Sequence, residues 1–448
     1  MNILMRVDAY VTRWLAGLPD TTNTANVERR ESLHCDPSSK KRRRSSSSRI
    51  PTPPASLRKD MDPEDDPFSG GPETPLTKKR RIDDPHATPQ ASYNSISQAP
   101  SVSTTSASSA SGRSRKSSPT KAFTRLEISN PLKLRFDEFD GINTDYPIPE
   151  ALQQVRVQLG AFSTNQRIIP RRDRTAAAPL VKGSPFPLTD MAYYDDDDES
   201  CRYGRMVPVD EVRIITNNSR YCAMHRAAEV VWNTEVHHQI LRCALRGNDG
   251  NVGSGLVNFT ICTSALINRH IIHRGPSKMV DFCFYIDSNV ASRSDPAVND
   301  AVTELRAWSP SEAVNHTDFT MMRNHPIALS IESKKQAGNH DDATLQIGTW
   351  HAAQWRFLAR IRASKGLTLD GLEFLPGLIV QGNDWFFVAS TRRDDETTLW
   401  TEQPIGSTRS ALGTYQVIRA VQYLAWWCQE IYWPWFKENI FDLEPQST

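Results

Sequence analysis

The chain has 448 residues, 38% of them hydrophobic, with 29 prolines and a formal charge of +1. That is too polar for a chain folded end to end and too nearly neutral for a polycation, so any affinity for nucleic acid must come from local basic patches. No run approaches the length of apolar sequence a bilayer-spanning helix needs, and Arg6, Asp8 and Arg13 interrupt the N-terminus where a secretory signal would be apolar, so neither membrane insertion nor secretion is expected.

Residues 1–18 predict a short amphipathic helix, with Ile3, Leu4, Val7, Val11, Trp14, Leu15 and Leu18 at three- and four-residue spacing and Pro19 ending it. From 19 to 120 the composition turns to serine runs, Ser-Pro and Thr-Pro steps and charge clusters, which predicts a long disordered tail. Two blocks in it, Lys40-Lys41-Arg42-Arg43-Arg44 and Lys78-Lys79-Arg80-Arg81, are clusters that a nuclear import receptor reads, and they predict a nuclear protein. Residues 121–215 read as a partly ordered extension. It has an apolar patch from Leu152 to Phe162 and an acidic run, Asp195–Asp198 with Glu199, expected in a solvated loop.

The texture changes near Arg220. Ten of the eleven tryptophans follow it, and dense periodic apolar sequence over 216–443 predicts one domain with one core. Seven cysteines, with no C-x-x-C pair, are expected to be reduced thiols, and His270 and His273 lack the acidic partner a zinc site would want.

Within the domain, a helix is predicted from about Ser219 to Arg246, with Glu229, Trp232, Asn233, Val236, Ile240 and Ala244 on one face and Glu235 pointing away. A glutamate on a packing face is unusual, which makes Glu229 a candidate metal or water ligand. The segment Lys278 to Ile286 alternates as a strand, setting Asp281 opposite Val280, Phe282, Phe284 and Ile286. A second strand, Ile327 to Lys334, puts Leu329 and Ile331 on one face and projects Glu332 and Lys334 together from the other. An acid and a lysine on such a strand are costly to bury alone, and a divalent cation held by Asp281 and Glu332 would offset that cost. A helix follows over Asp341 to Ala363, with Gln346 on the edge of a stripe formed by Ala343, Ile347, Trp350, Phe357 and Ile361. Gln346 is therefore a candidate for reaching the same site. The segment 288–325 separates the two strands as an insertion, expected to cover or shape the site through Asp295, Asp300 and Glu304. Leu378 to Val380 and Trp385 to Val388 predict two strands joined at Gly382-Asn383-Asp384. Residues 411–433 predict a helix that carries Ile431 in its buried stripe and stops at Pro434. The aromatic cluster around Trp426, Trp427, Tyr432, Trp433, Trp435 and Phe436 reads as core.

The order helix, strand with Asp281, strand with Glu332-Ser333-Lys334, helix, strands resembles the PD-(D/E)XK nuclease superfamily. The chain is similar to a fungal group of standalone nuclease-like proteins in several stretches. These are Trp14-Leu15-Ala16-Gly17-Leu18-Pro19, Ser117 to Lys121, Glu229 with Trp232-Asn233 and Val236-His237, Lys278 to Asp281, Ile331 to Lys334, Gln346 to Trp350, Gly382 to Trp385, Gly406 to Thr408 and Tyr432 to Phe436. Val280 stands where the superfamily's name has proline. The resemblance implies a three-layer α/β, restriction-endonuclease-like fold with a central mixed sheet, and a nuclease acting on DNA. In it Asp281 and Glu332 hold Mg²⁺ or Mn²⁺, Glu229 adds a ligand, and Lys334, with Gln346 near it, orients or helps to deprotonate a water. Arg360, Arg362, Lys365, Arg392 and Arg393 are the expected contacts to the nucleic-acid backbone. The alternative is a catalytically silent nuclease fold that serves as a nucleic-acid- or protein-binding module.

Overall fold

A computed structural model describes residues 133–444 apart from 140–144, 184–187, 248–249 and 269–279, together with a few residues between 121 and 127. The expected N-terminal helix, the tail with its two basic blocks, His270, His273, Lys278 and Met279 lie outside the described residues.

Seven strands form one sheet: β1 Lys133–Glu138, β2 Val257–Ile261, β3 Phe282–Ile286, β4 Ile327–Lys334, β5 Leu375–Gln381, β6 Asp384–Arg393 and β7 Glu396–Ser407. Their order is β1-β7-β6-β5-β4-β3-β2. The pairs β1–β7 and β4–β5 are parallel and the rest antiparallel, so the sheet is mixed. In β3 and in all of β4 before Lys334 every residue is buried, because helices cover both faces and leave no polar side to alternate with.

The connection between the parallel strands β4 and β5 is a long helix, which we call α7, at His340–Ser364. Asn339 caps it by accepting from the Asp341 N–H at 3.2 Å, Asp341 and Asp342 sit in its positive first turn, and Gly366 at φ 72° follows its end. It is buried almost all round between Ala343 and Leu358. Gly377 of β5 faces Ile347 and His351 of α7, which places this helix on the sheet face that carries Ser330, Glu332 and Lys334.

Before it come α1 Glu150–Ser163, α2 Arg174–Val181, α3 Val209–Met224 and α4. The last is built of α-helical turns Glu229–Trp232 and His238–Leu245 around a π-helical turn, Asn233–His237. The short helices α5 Ser288–Ser294 and α6 Ala297–Trp308 lie between β3 and β4, and α8 Ala411–Trp427 follows β7. Ser219 on α3 and His237 on α4 reach the β5–β6 turn, and α8 packs on β7. There a Cβ on Gly413 would overlap the Ser407 carbonyl. Among the described residues no helix is long and apolar enough to cross a membrane.

Five expectations change. The helix read from Ser219 to Arg246 is two helices, because Arg226 takes a left-handed φ of 48° and the N–H groups of Arg226 and Ala227 close the end of α3 on Ala223 and Cys222. The helix after residue 411 does not stop at Pro434. A second π-helical turn, Cys428–Tyr432, leads straight into a helix at Trp433–Asn439, with Pro434 in its first turn. That extra residue also rotates Ile431 out to 46% exposure. The segment 288–325 leaves β3 at Ile286 and enters β4 at Ile327, the end of these strands remote from Glu332 and Lys334, so it does not cover them. Its Asp295 instead faces Lys437 at 3.8 Å.

The last change concerns the basic residues. At about 1.5 Å per residue, Arg360 lies roughly 30 Å along α7 from the start of that helix near Lys334. Arg362 and Lys365 donate to the carbonyls of Thr368, Asn439 and Ile440, tying down the C-terminal segment. Arg392 and Arg393 end a strand that begins beside Gln381, and so stand at the same remote end. None of the five is placed to hold a phosphate at Glu332.

Residues 133–181 add more than the sequence indicated. Leu134 in edge strand β1 is fully buried, as are Leu152, Leu159 and Phe162 of α1 in the predicted apolar patch. The acidic run is an exposed loop as expected, with Asp195, Asp196 and Asp198 paired to Arg171, Arg172 and Arg167. The six described cysteines are free thiols, and the tryptophan cluster is core, with Trp427, Trp433 and Trp435 buried.

Candidate active site at the end of strand β4

Asp281, immediately before β3, and Glu332, near the end of β4, are buried at 8% and 1% exposure. Asp281 is held through its backbone and its side chain. Its N–H donates to the Ile331 carbonyl at 3.0 Å, and its Oδ2 accepts from the N–H and the hydroxyl of Ser333 at 2.8 and 2.7 Å. Two donors on one carboxylate oxygen favour the ionised form, but burial outweighs them and, with Lys334 also pulling down, the Asp281 carboxyl still lies above its usual range.

Lys334 turns back along its own strand. Its Nζ donates to Glu332 Oε1 in a close pair and to the Ser333 carbonyl at 2.8 Å, and it lies 4.0 Å from Glu229 Oε2. Burial alone would pull this lysine down, yet Glu332, Glu229 and Asp281 together hold the ammonium above its usual value. Glu332 is pushed well up by burial first and by the Asp281 charge second, with Lys334 only partly offsetting them. Glu229 starts α4, reaches the site from the first turn of that helix, and accepts from the Lys335 N–H. Burial raises it too. Glu235 is exposed, as the helical spacing predicted.

The structure therefore brings Asp281, Glu332, Lys334 and Glu229 together. Gln346 is half-buried in the second turn of α7, on the helix that covers the Glu332 face. Ser333 grips Asp281, a role that no motif in the sequence signals. His237 is also buried at its side, through a π-turn that a regular helical wheel cannot represent.

Three carboxylates around one ammonium leave an excess of negative charge, and Glu332 Oε2 is buried without a hydrogen-bond partner. An unpaired buried carboxylate oxygen is expensive, and a divalent cation would satisfy it. Among the described residues no three acidic, histidine or cysteine side chains form a complete metal cage. Mg²⁺ does not require one, since it takes one or two carboxylates and fills its shell with water and phosphate oxygens. The donor set fits such an ion.

Asp281 at the entry to β3, Glu332 and Lys334 on the neighbouring strand β4, and Glu229 at the start of α4 thus meet at one end of a mixed sheet. The chain belongs to the PD-(D/E)XK nuclease superfamily, whose family model matches residues 181–433, more than half its length. No curated protein and no solved structure matched it.

Proposed function

We propose that the protein is a metal-dependent nuclease that hydrolyses phosphodiester bonds, with DNA as its substrate, and that it is a member of the fungal standalone group. The observation that carries this reading is the convergence of Asp281, Glu332, Glu229 and Lys334 on one strand end with a Glu332 oxygen unpaired. Asp281 and Glu332 would hold Mg²⁺ or Mn²⁺, with Glu229 binding it directly or through water. When bound, the ion supplies charge neutralisation at the scissile phosphate and a more acidic water. Lys334, kept as an ammonium by its acidic neighbours, orients the attacking water and faces the charge that develops on phosphate oxygen. Gln346 fixes the water from the α7 side. Exposed Lys335, directly after Lys334, and Arg409, paired with Asp384 at the β5–β6 end, replace the remote arginines as candidate phosphate contacts. The test is cleavage of single-stranded, duplex and branched DNA, with RNA counterparts, in Mg²⁺, Mn²⁺ and chelator. No metal-dependent cleavage of any of them would remove the reading.

Glu229→Gln separates a site role from a structural one. The site role predicts a variant that melts no lower than the parent without metal, because a raised carboxyl has been neutralised. Its Mg²⁺-induced rise in Tm is smaller, because that rise follows RT ln(1 + [L]/Kd). Equal rises in calorimetric scans of both proteins would take Glu229 out of the site.

We also propose a nuclear location, supported by the basic blocks Lys40–Arg44 and Lys78–Arg81. Replacing both with serine and alanine is expected to move a fluorescent fusion to the cytoplasm. Retention of the nuclear signal in the double replacement would count against import through these blocks.

A further inference from the structure

The π-helical turn of α4 brings two polar side chains, Asn233 and His237, towards the sheet. His238 N–H bonds to the Asn233 carbonyl across the widened turn, so Val236 and His237 both face inwards, and Trp232 and Trp385 pack on the imidazole at 5.9 and 5.5 Å. His237 is fully enclosed, and burial lowers its pKa to about 4, which leaves the ring neutral.

The polarity of its contacts is then fixed. His237 Nε2 lies 2.9 Å from the Gly382 carbonyl, which can only accept, so Nε2 carries the proton. Nδ1 is bare and accepts. The Asn233 amide atom 2.9 Å from Nδ1, at the Oδ1 position, must donate and is therefore the amide nitrogen, since the two ends of the amide have the same outline. The second hydrogen of that NH₂ points at Ser333 Oγ, 2.7 Å away. Ser333 Oγ, accepting there, is free to give its own hydrogen to Asp281 Oδ2 at 2.7 Å. The far end of the chain is anchored as well. Gly382, at φ 58° and with no room for a Cβ beside Gln336, donates its N–H to the Lys334 carbonyl at 2.8 Å.

We propose that His237 and Asn233 are positioning residues. With Ser333 they form a hydrogen-bond chain of one polarity that aims the Asp281 carboxylate and ties it to the turn gripping the Lys334 backbone. The proposal rests on Asp281 being a metal-binding carboxylate. Partners one step removed from a metal fix the orientation of its ligands, and losing one weakens metal binding about 10- to 100-fold.

Two measurements test it on the full chain. The imidazole nitrogen resonances of His237 in the metal-free protein should show a neutral ring protonated at Nε2; a proton on Nδ1 overturns the chain. Mg²⁺ affinity by titration calorimetry should fall about 10- to 100-fold in Ser333→Ala, which removes only a hydroxyl. It should fall as far in His237→Gln, which keeps a donor for Gly382 but loses the acceptor for Asn233. The double variant should lose little beyond either single one, since the groups act in series. Parent-like affinity in either single variant, with Asp281→Ala abolishing binding, overturns the positioning role and leaves the site intact. Parent-like affinity in Asp281→Ala overturns both.

Discussion

Lys334→Ala is expected to lower metal-dependent cleavage by roughly a hundredfold to ten-thousandfold, the range for removing a group that orients a nucleophile or faces developing charge. The same ammonium is the main counter-charge of Glu332 and the link between Glu332 and Glu229. Removing one partner of a buried pair costs about 3–5 kcal/mol, so the variant should also melt lower at neutral pH. Acid should narrow that gap, because a Glu332 already pushed up by burial takes a proton more readily once the lysine is gone. Metal binding should survive, since a divalent cation can replace the ammonium as counter-charge. Lys334→Met keeps the stem packed and separates lost chemistry from lost structure. The decisive measurement is cleavage under single-turnover conditions with saturating Mg²⁺, alongside circular dichroism to establish folding. A Lys334→Ala protein that cleaves like its parent would refute the assignment.

The chemistry is more legible along the chain than in space. β4 is legible at its observed bounds, Ile327–Lys334, because an apolar alternation broken by Glu332 and Lys334 is a local signal. The shared helical face of Glu229, Trp232 and Val236 is legible for the same reason. Which end of a strand meets which is not legible in the same way. The segment 288–325 and the arginines of α7 and β6 are adjacent in sequence to site elements but lie at the remote ends of those elements. Only the pairing of β3, β4, β5 and β6 reveals this. Strand β1 escaped because an edge strand buries little of itself: of Lys133–Glu138, only Leu134 is fully enclosed. The two π-turns escaped because one inserted residue shifts the helical phase, exposing Ile431 and burying His237, without any change in composition. Ser333 escaped because a serine between two charged residues carries no hydrophobic or charge signature. Its role is visible only through the 2.7 and 2.8 Å contacts to Asp281.

Asp281→Asn should make the metal-free protein more stable at pH 8 while removing most of its response to metal. Asparagine can present its carbonyl oxygen to the N–H and hydroxyl of Ser333, as Asp281 Oδ2 does, so the fold loses a charge and keeps both hydrogen bonds. The sign follows from the direction of the shifts. Asp281, Glu332 and Glu229 all have folded-state pKa values above their unfolded references of 3.8 for the aspartate and 4.5 for the glutamates. A carboxyl raised on folding contributes stability that is fully present below its unfolded pKa and lost as pH rises through the folded value. The metal-free parent therefore loses this contribution going upwards from about pH 4. Lys334, raised above 10.5, holds its contribution across that whole window and loses it only in strong alkali. Mg²⁺ binds the deprotonated carboxylates, so its stabilisation grows as that of the protons disappears. At a hundred times Kd it reaches about 2.7 kcal/mol, a rise of several degrees in Tm for a domain of this size. Scans from pH 5 to 8 should thus show the parent's metal-free and Mg²⁺ curves diverging with pH. Those of Asp281→Asn should stay close together, with its metal-free curve above the parent's at pH 8 and converging on it towards pH 5. If the two proteins gain equally from Mg²⁺, or if the variant melts lower at pH 8, Asp281 is not the charge that holds the ion.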